Sequence, residues 1–284
     1  IKHVRFHPTI KINYMRMKQK GTFFLRSILR DIALRIMSSI STPQPGIHII
    51  SLHATGLNYT TENKQIVYEE FCDFLSFLRK YCEFIRIEDS VKQILNKTIT
   101  ADRLISFTFD DGFKECYTIV APALEEFNTN AAFFINCGFI NGDEAYRKRF
   151  TSDIIESPGK LPINWDEVID LSRRKHIIGS HTLDHVNLNC KDLNLIDFQI
   201  SENKRLIEKH LKQSCDFFAF PYGQYHHISL EALQIAEKYH KYIFGSFNYK
   251  NYYSFNNRIL NRRHIESWWP KSHIKYFLSA SKKY

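Results

Sequence analysis

The feature that most constrains this chain is an alternation. After Gly46, short apolar runs trade places with longer segments of helical periodicity almost to the end. Ile47–His53, Leu104–Phe109, Ala131–Asn136, Ile177–Gly179, Phe217–Phe220 and Tyr242–Gly245 have the length and the β-branched or aromatic content of buried strands. Between them, Glu62–Cys82, Tyr117–Phe127, Trp165–Arg174, Leu193–Leu211 and Leu230–His240 space their apolar residues as helices do. In the first of these, Ile66, Phe71, Phe74, Leu75 and Leu78 share one face. Strands alternating with helices in this way predict βαβ units and a mainly parallel sheet or barrel. In such folds chemistry gathers where strands end and loops begin.

Residues 1–45 stand outside this pattern. Phe24, Leu25, Ile28, Leu29, Ile32, Ile36 and Ile40 fall near helical spacing with Arg26, Arg30 and Arg35 between them, a basic amphipathic helix. It either packs on the body or lies on a membrane surface. Thr42-Pro43-Gln44-Pro45-Gly46 ends it and serves as a linker. This divides the chain into an N-terminal extension, 1–45, and a body, 46–284.

Charge sharpens the division. The net charge is +9, but residues 1–35 hold nine Lys/Arg against one acid, and residues 241–284 hold nine against one. The stretch between holds 21 bases and 28 acids, so an acidic body carries two basic ends. No nucleic-acid-binding pattern accompanies them, which leaves a solvated face or attraction to an anionic membrane or polymer. A hydrophobic content of 44% with 24% charged residues excludes wholesale disorder. Apolar runs such as Ile47–Leu52 are far short of the roughly 20 residues that cross a bilayer. The six Cys form no CxxC pair, so a Cys-based zinc site is not expected. Scattered thiols favour a cytoplasmic or membrane-associated setting, with export and one or two disulfides as the alternative. The chain begins with Ile, not Met, and reads as a fragment whose leader or anchor would lie outside this sequence.

Three strand ends carry chemistry. Ser106–Phe109 runs into Asp110-Asp111-Gly112. Adjacent carboxylates repel and point to opposite sides of a regular strand, but a glycine lets the chain turn and bring both to one cavity. Alone this is equally an Asp-Gly turn with a helix cap. After Ile178-Gly179-Ser180 come His181 and His185, which on one face of a helical turn would converge on a metal. Phe217–Phe220 ends in Pro221-Tyr222-Gly223, by itself only a turn.

Together and in this order the three motifs resemble those of the NodB-homology polysaccharide deacetylases, carbohydrate esterase family 4. Thr108–Gly112 matches the family's T-F-D-D-G, His181–His185 its H-[ST]-x-x-H, and Pro221–Gly223 the P-Y-G core of its third motif. Pro122, Leu124, the Ala131–Ile135 strand, Trp165 and Gly179 also fall where the family pattern has them. The resemblance covers roughly residues 46–280 and is nearest to the poly-N-acetylglucosamine deacetylase branch. It implies an α/β fold, a distorted (β/α) barrel with mainly parallel strands. It also implies a divalent transition ion, Zn2+ before Co2+ or Ni2+, on Asp111, His181 and His185, with Asp110 as general base. Tyr222 and Pro221 would then line the substrate site, with the Tyr222 N–H facing the oxyanion. The partner implied is an N-acetylated glycan.

Two departures stand out. The Arg that many members place two residues before the third-motif Pro is Ala219 here, as in the poly-N-acetylglucosamine branch. The late L-x-H motif carrying the catalytic acid is not plainly present, and His264 in Leu260–Glu266 is the nearest candidate. Trp268 is a candidate sugar-stacking residue, with Trp269 beside it as an alternative packing anchor. His53, at the end of the first strand, is expected to be structural, with a place facing the cavity as the alternative; His226, His227 and His273 are expected on the surface, and Arg262 and Arg263 either contact an anionic sugar, pair with Asp110, or are two of the many bases at this end. Two other functions fit the same residues: an O-acetyl esterase on a glycan, and a carbohydrate-binding protein without turnover.

Overall fold

The structure, a computed structural model, describes residues 28–55 and 62–284. Helix α1 (28–40) leads through an extended linker into strand β1 (Gly46–Leu52). There follow α2 (Lys64–Arg79), β2 (Glu83–Phe84), α3 (Ile87–Leu95) and β3 (Arg103–Phe109). Next come α4 (Ala121–Glu126), β4 (Ala131–Ile135), α5 (Cys137–Asn141), α6 (Glu144–Arg149), α7 (Trp165–Arg173) and β5 (Ile177–Ser180). The chain finishes with α8 (Leu193–Leu211), β6 (Phe217–Ala219), α9 (Leu230–Tyr239), β7 (Tyr242–Gly245), β8 (Tyr253–Ser254), β9 (Ile259–Asn261), β10 (Arg263–His264) and α10 (Lys271–Phe277).

The strands form one sheet in the order β10-β1-β3-β4-β5-β6-β7-β9-β8, parallel throughout except where β8 meets β9. A single residue, Arg262, separates β9 from β10. The first half of that segment pairs with β7, Leu260 opposite Phe244, and the second half with β1, His264 opposite Ser51. The sheet therefore curls until one short strand bridges its two ends. This is the distorted, mainly parallel (β/α) barrel that the resemblance implied, one of the two forms the alternation left open.

Period-two alternation sorts the side chains. Phe107 and Phe109 of β3 point outward to Phe71, Phe74 and Leu75 of α2, while Leu104 packs inside with Ile47, Ile49, Phe134, Phe244 and Leu260. The same parity sends Ser106, Thr108 and Asp110 inward, and all are buried. A fully buried Phe contributes on the order of 1.5–3 kcal/mol, so the outer Phe layer fixes the orientation in which the polar inner face must lie.

Helix starts follow their caps. Asn164 and Glu167 form a reciprocal capping box on α7, and Asp192 and Ser229 cap α8 and α9. One predicted helix is corrected. Tyr117–Phe127 divides into a π turn, Cys116–Val120, and α4, because Pro122 lacks an N–H and cannot continue the regular ladder. All six Cys are free. Among the described residues no helix is long and apolar enough to cross a membrane.

Candidate metal centre and active-site cleft

The site grows from the C-terminal end of β3. Asp110 continues the inward parity, and its N–H donates to Leu52 O at 2.9 Å. Asp111 and Gly112 both take left-handed backbone angles, φ +72° and +69°, so the chain turns back at once and the second carboxylate swings to the same cavity as the first. A Cβ on Gly112 would meet Ile135 Cγ2 at 3.0 Å, so this turn needs glycine for room as well as for φ.

His181 and His185 follow β5, but not on a helical turn as expected from their spacing. Residues 181–185 form a loop in which Thr182 (φ +64°) and His185 (φ +54°) are left-handed. Asn136 Nδ2 donates to the carbonyls of His181 (2.6 Å) and Thr182 (2.9 Å) and holds the loop against β4. His181 Nδ1 donates to Ala219 O at 2.7 Å, which fixes the tautomer and leaves the Nε2 lone pair free.

Asp111, His181 and His185 converge. Asp111 Oδ1 lies 3.7 Å from His181 Nε2 and 3.5 Å from His185 Nε2. These separations are too long for hydrogen bonds, and Asp111 Oδ1 has no hydrogen-bond partner although it is buried. Ligands roughly 2.0–2.2 Å from a tetrahedral ion stand about 3.3–3.6 Å apart, so the spacing suits a shared cation. Electrostatics agree. Burial, with Asp110 adding to it, pushes Asp111 up to about 7. Burial lowers His181 to about 4 and His185 well below its ordinary value. Two neutral imidazoles and a buried carboxylate lacking a counter-charge are a donor set that a divalent ion completes.

Asp110 is held differently. Arg262 grips it with both arms, Nη1 to Oδ1 at 2.7 Å and Nη2 to Oδ2 at 2.9 Å. Nη1 also donates to Thr108 Oγ1 at 3.0 Å, and Ser51 Oγ donates to Asp110 Oδ2 at 3.2 Å. Burial alone would raise the Asp110 pKa, but the Arg262 charge and hydrogen bonds outweigh it and hold the carboxylate well below its usual range. Arg262 is itself buried and packs over the Phe134 ring. The guanidinium that the third motif lacks is thus supplied from the strand that closes the barrel.

A cavity of about 580 Å³ opens over the site, and His53, Asp111, Lys160, His264, Glu266 and Trp268 are among the residues that line it. Glu266 Oε1 accepts from His53 Nδ1 at 2.7 Å and from His264 Nε2 at 2.8 Å, and the two rings meet edge to face. Burial would lower His53, but the Glu266 hydrogen bond and charge raise it to about 9. His53, expected to be structural, therefore faces the cleft. Glu266 was missed: nothing in the sequence places a lone acid of a basic segment beside a residue 213 positions earlier. His53, His264 and Glu266 also group closely enough to be a second candidate cation site. Tyr222 (φ +61°) lays its ring 4.7 Å from that of His185, above buried Pro221. Trp268 reaches the cleft wall, while Trp269 packs between His264 and Phe277 as an anchor. His226 is exposed and His227 half-buried against Tyr222. His273 is not a free surface group, since it pairs with Asp31 of α1 at 2.8 Å.

The family model for polysaccharide deacetylases matches residues 97–240, half of the chain. The chain belongs to the polysaccharide deacetylase family. It is 23% identical over 138 residues to YxkH of Bacillus subtilis (strain 168), a protein named for polysaccharide deacetylation. That alignment spans 49% of this chain and 42% of YxkH, so the chain matches less than half of the relative's length. Among solved structures, IcaB from Ammonifex degensii superposes with a TM-score of 0.65 at 16% identity, covering 84% of this chain and 99% of that one. The Streptococcus pyogenes deacetylase PplD, solved with acetate, gives 0.59 at 17% identity over 82% and 97% of the two chains. A de-N-acetylase from Aggregatibacter actinomycetemcomitans gives 0.57 at 15% identity over 82% and 99%. These likenesses extend the shared fold beyond the matched segment to most of the chain.

Proposed function

We propose that the chain hydrolyses acetyl groups from N-acetylated sugars of a polysaccharide or glycan precursor, using a divalent transition ion, Zn2+ first, on Asp111, His181 and His185. Residues 46–284 would form the deacetylase domain. The observation that carries this reading is the convergence of a buried carboxylate oxygen without a hydrogen-bond partner, Asp111 Oδ1, on the Nε2 atoms of His181 and His185, directly beside a second carboxylate held ionised.

An ion at this position would lower the pKa of water and polarise the acetamide carbonyl. The chain's own residues supply the rest. Asp110, ionised at neutral pH and fixed by Arg262, accepts the proton lost when water adds to the acetamide carbon. The Tyr222 N–H donates to the developing oxyanion. When the C–N bond breaks, the departing nitrogen takes its proton from the imidazoles on Glu266, with His264 as the donor and His53 beside it on the same carboxylate oxygen. Trp268, at the cleft wall, offers a face to a sugar ring. The products are acetate and a glycan with a free amine.

The test is incubation of the zinc-loaded chain with N-acetylglucosamine oligomers, reading acetate by enzymatic assay and the glycan by mass spectrometry. Release of acetate with one new amine per acetyl group supports the proposal. Release from O-acetylated sugars alone would make the chain an esterase, and no release from either would make it a binding protein.

A further inference from the structure

The two histidines that converge on Asp111 are secured in different ways. His181 hands its Nδ1 proton to Ala219 O, the arrangement that ordinarily orients a metal-ligating imidazole. His185 Nδ1 is buried and finds no hydrogen-bond partner in another of the described residues. Its ring meets those of Tyr222 (4.7 Å) and Phe150 (6.4 Å) edge to face, contacts without the directionality of a hydrogen bond. The aim of its Nε2 therefore depends on the backbone that carries it. That backbone is left-handed at His185 itself, a conformation that a residue other than glycine keeps only when its surroundings impose it.

The surroundings act through the residue directly before it. Asp184 is not one of the three side chains that converge. Its Oδ1 accepts from the Tyr146 hydroxyl, its Oδ2 accepts from Gln199 Nε2 at 2.7 Å, and its N–H donates to Gln199 Oε1 at 2.9 Å. Leu183 is tied as well: its N–H donates to Gln199 O at 3.0 Å, and its O accepts from the Gly138 N–H at 2.9 Å. These anchors come from three elements, Gly138 in α5, Tyr146 in α6 and buried Gln199 in α8. The approach of α5 is close enough to need glycine, since a Cβ on Gly138 would meet Asp184 Oδ1 at 2.2 Å and Leu183 O at 2.7 Å. Asn136 thus holds the first half of the loop by its carbonyls, and the clamp on Asp184 holds the second half.

We infer that Asp184 is a positioning residue for His185: gripped by Tyr146 and Gln199, it keeps Nε2 aimed at the point where the three ligands meet, in place of the hydrogen bond that the His185 ring lacks. A carboxylate that merely closed the loop would need one of these bonds. Gripping both oxygens and the N–H fixes the side chain and the backbone of the residue before His185 together. The inference rests on the metal site of the hydrolytic reading, although the clamp itself is formed by protein groups alone.

The experiment measures the zinc affinity of the full chain by competition with a chromogenic chelator, and amide hydrogen exchange across residues 181–185 of the metal-free protein. Tyr146→Phe removes one hydroxyl of the clamp, and Asp184→Ala removes the clamp whole. We expect zinc to bind about tenfold more weakly to Tyr146→Phe and about 100-fold more weakly to Asp184→Ala, with Asp184→Asn between Ala and the unaltered chain. Exchange in the loop should quicken in the same order, while denaturant unfolding of metal-free Tyr146→Phe stays close to that of the unaltered chain. If Asp184→Ala does not fold, Tyr146→Phe decides alone. Zinc affinity unchanged in the variants, or weakened with loop exchange unchanged, overturns the inference and leaves the hydrolytic reading standing. An unaltered chain that takes up no zinc overturns that reading and this inference with it.

Discussion

The cleft has two halves built in different ways. Asp110, Asp111, His181 and His185 come from the ends of β3 and β5, the two strands that flank β4, inside the matched segment, and local backbone turns pose them. His53, Arg262, His264 and Glu266 come from the two ends of the body and meet only because the β9–β10 segment bridges the sheet. In the first half Asp111, His181 and His185 are donors lacking a cation, whereas Asp110 is paired with Arg262 of the second half, whose charges are all already partnered. Under the proposed function the difference would separate two tasks: local turns would place the ion's ligands, while barrel closure would set the protonation states of the groups that exchange protons.

Substitutions should tell the halves apart. The largest effect belongs to the ligands: His181→Ala or Asp111→Asn should lose the ion and lower turnover by about 10⁴-fold, read by elemental analysis and acetate release. Asp110→Asn should keep the ion and lower turnover by about 10²–10⁴-fold. Equal metal loss in both carboxylate variants would merge the roles separated here.

Arg262→Met strikes the junction. It leaves the Asp110 charge buried and unpaired, so the protein should lose about 3–5 kcal/mol in denaturant unfolding, and Asp110 should titrate higher. The folded pKa of Asp110 is depressed, so its share of stability is present above the ordinary Asp value and lost as pH falls through that range. The variant should flatten that acid limb, and an unchanged limb would show that Arg262 does not hold Asp110.

The second half yields smaller, more selective effects. His264→Ala should reduce amide turnover far more than turnover of an activated aryl ester, whose leaving group needs no proton. Equal losses on both substrates would move the acid to His53. His53 itself should titrate near 9 by NMR in metal-free protein. Its raised pKa stabilises the fold fully below the ordinary His value near 6.5, and that contribution is lost as pH rises through about 9. Glu266→Gln should bring the titration back toward the ordinary value and remove this dependence.

The same division decided what the sequence could reveal. The strands β1, β3, β4, β5, β6 and β7 announced themselves as apolar runs, and the candidate metal ligands followed because Asp111 and His181 each sit two residues past such a run, with His185 four residues beyond His181. The closing strand did not, since two and three residues carry no periodicity. Glu266 was invisible for that reason, and Arg262 was legible only as one of two choices. The convergence of His181 and His185 was legible, but its cause was not: two left-handed residues, not a helical turn, bring the rings together. The apolar face of α1 was visible as a stripe, yet only the structure shows it turned away from the body.

Two clusters on the cleft offer cation ligands, Asp111 with His181 and His185, and Glu266 with His53 and His264. Anomalous scattering from crystals of the zinc-loaded protein distinguishes them directly. The account predicts one ion per chain, with Asp111 Oδ1 and the Nε2 atoms of His181 and His185 roughly 2.0–2.2 Å from it, and Glu266 still bridging its two imidazoles. An ion bound by Glu266, His53 and His264, with Asp111 left bare, would contradict it.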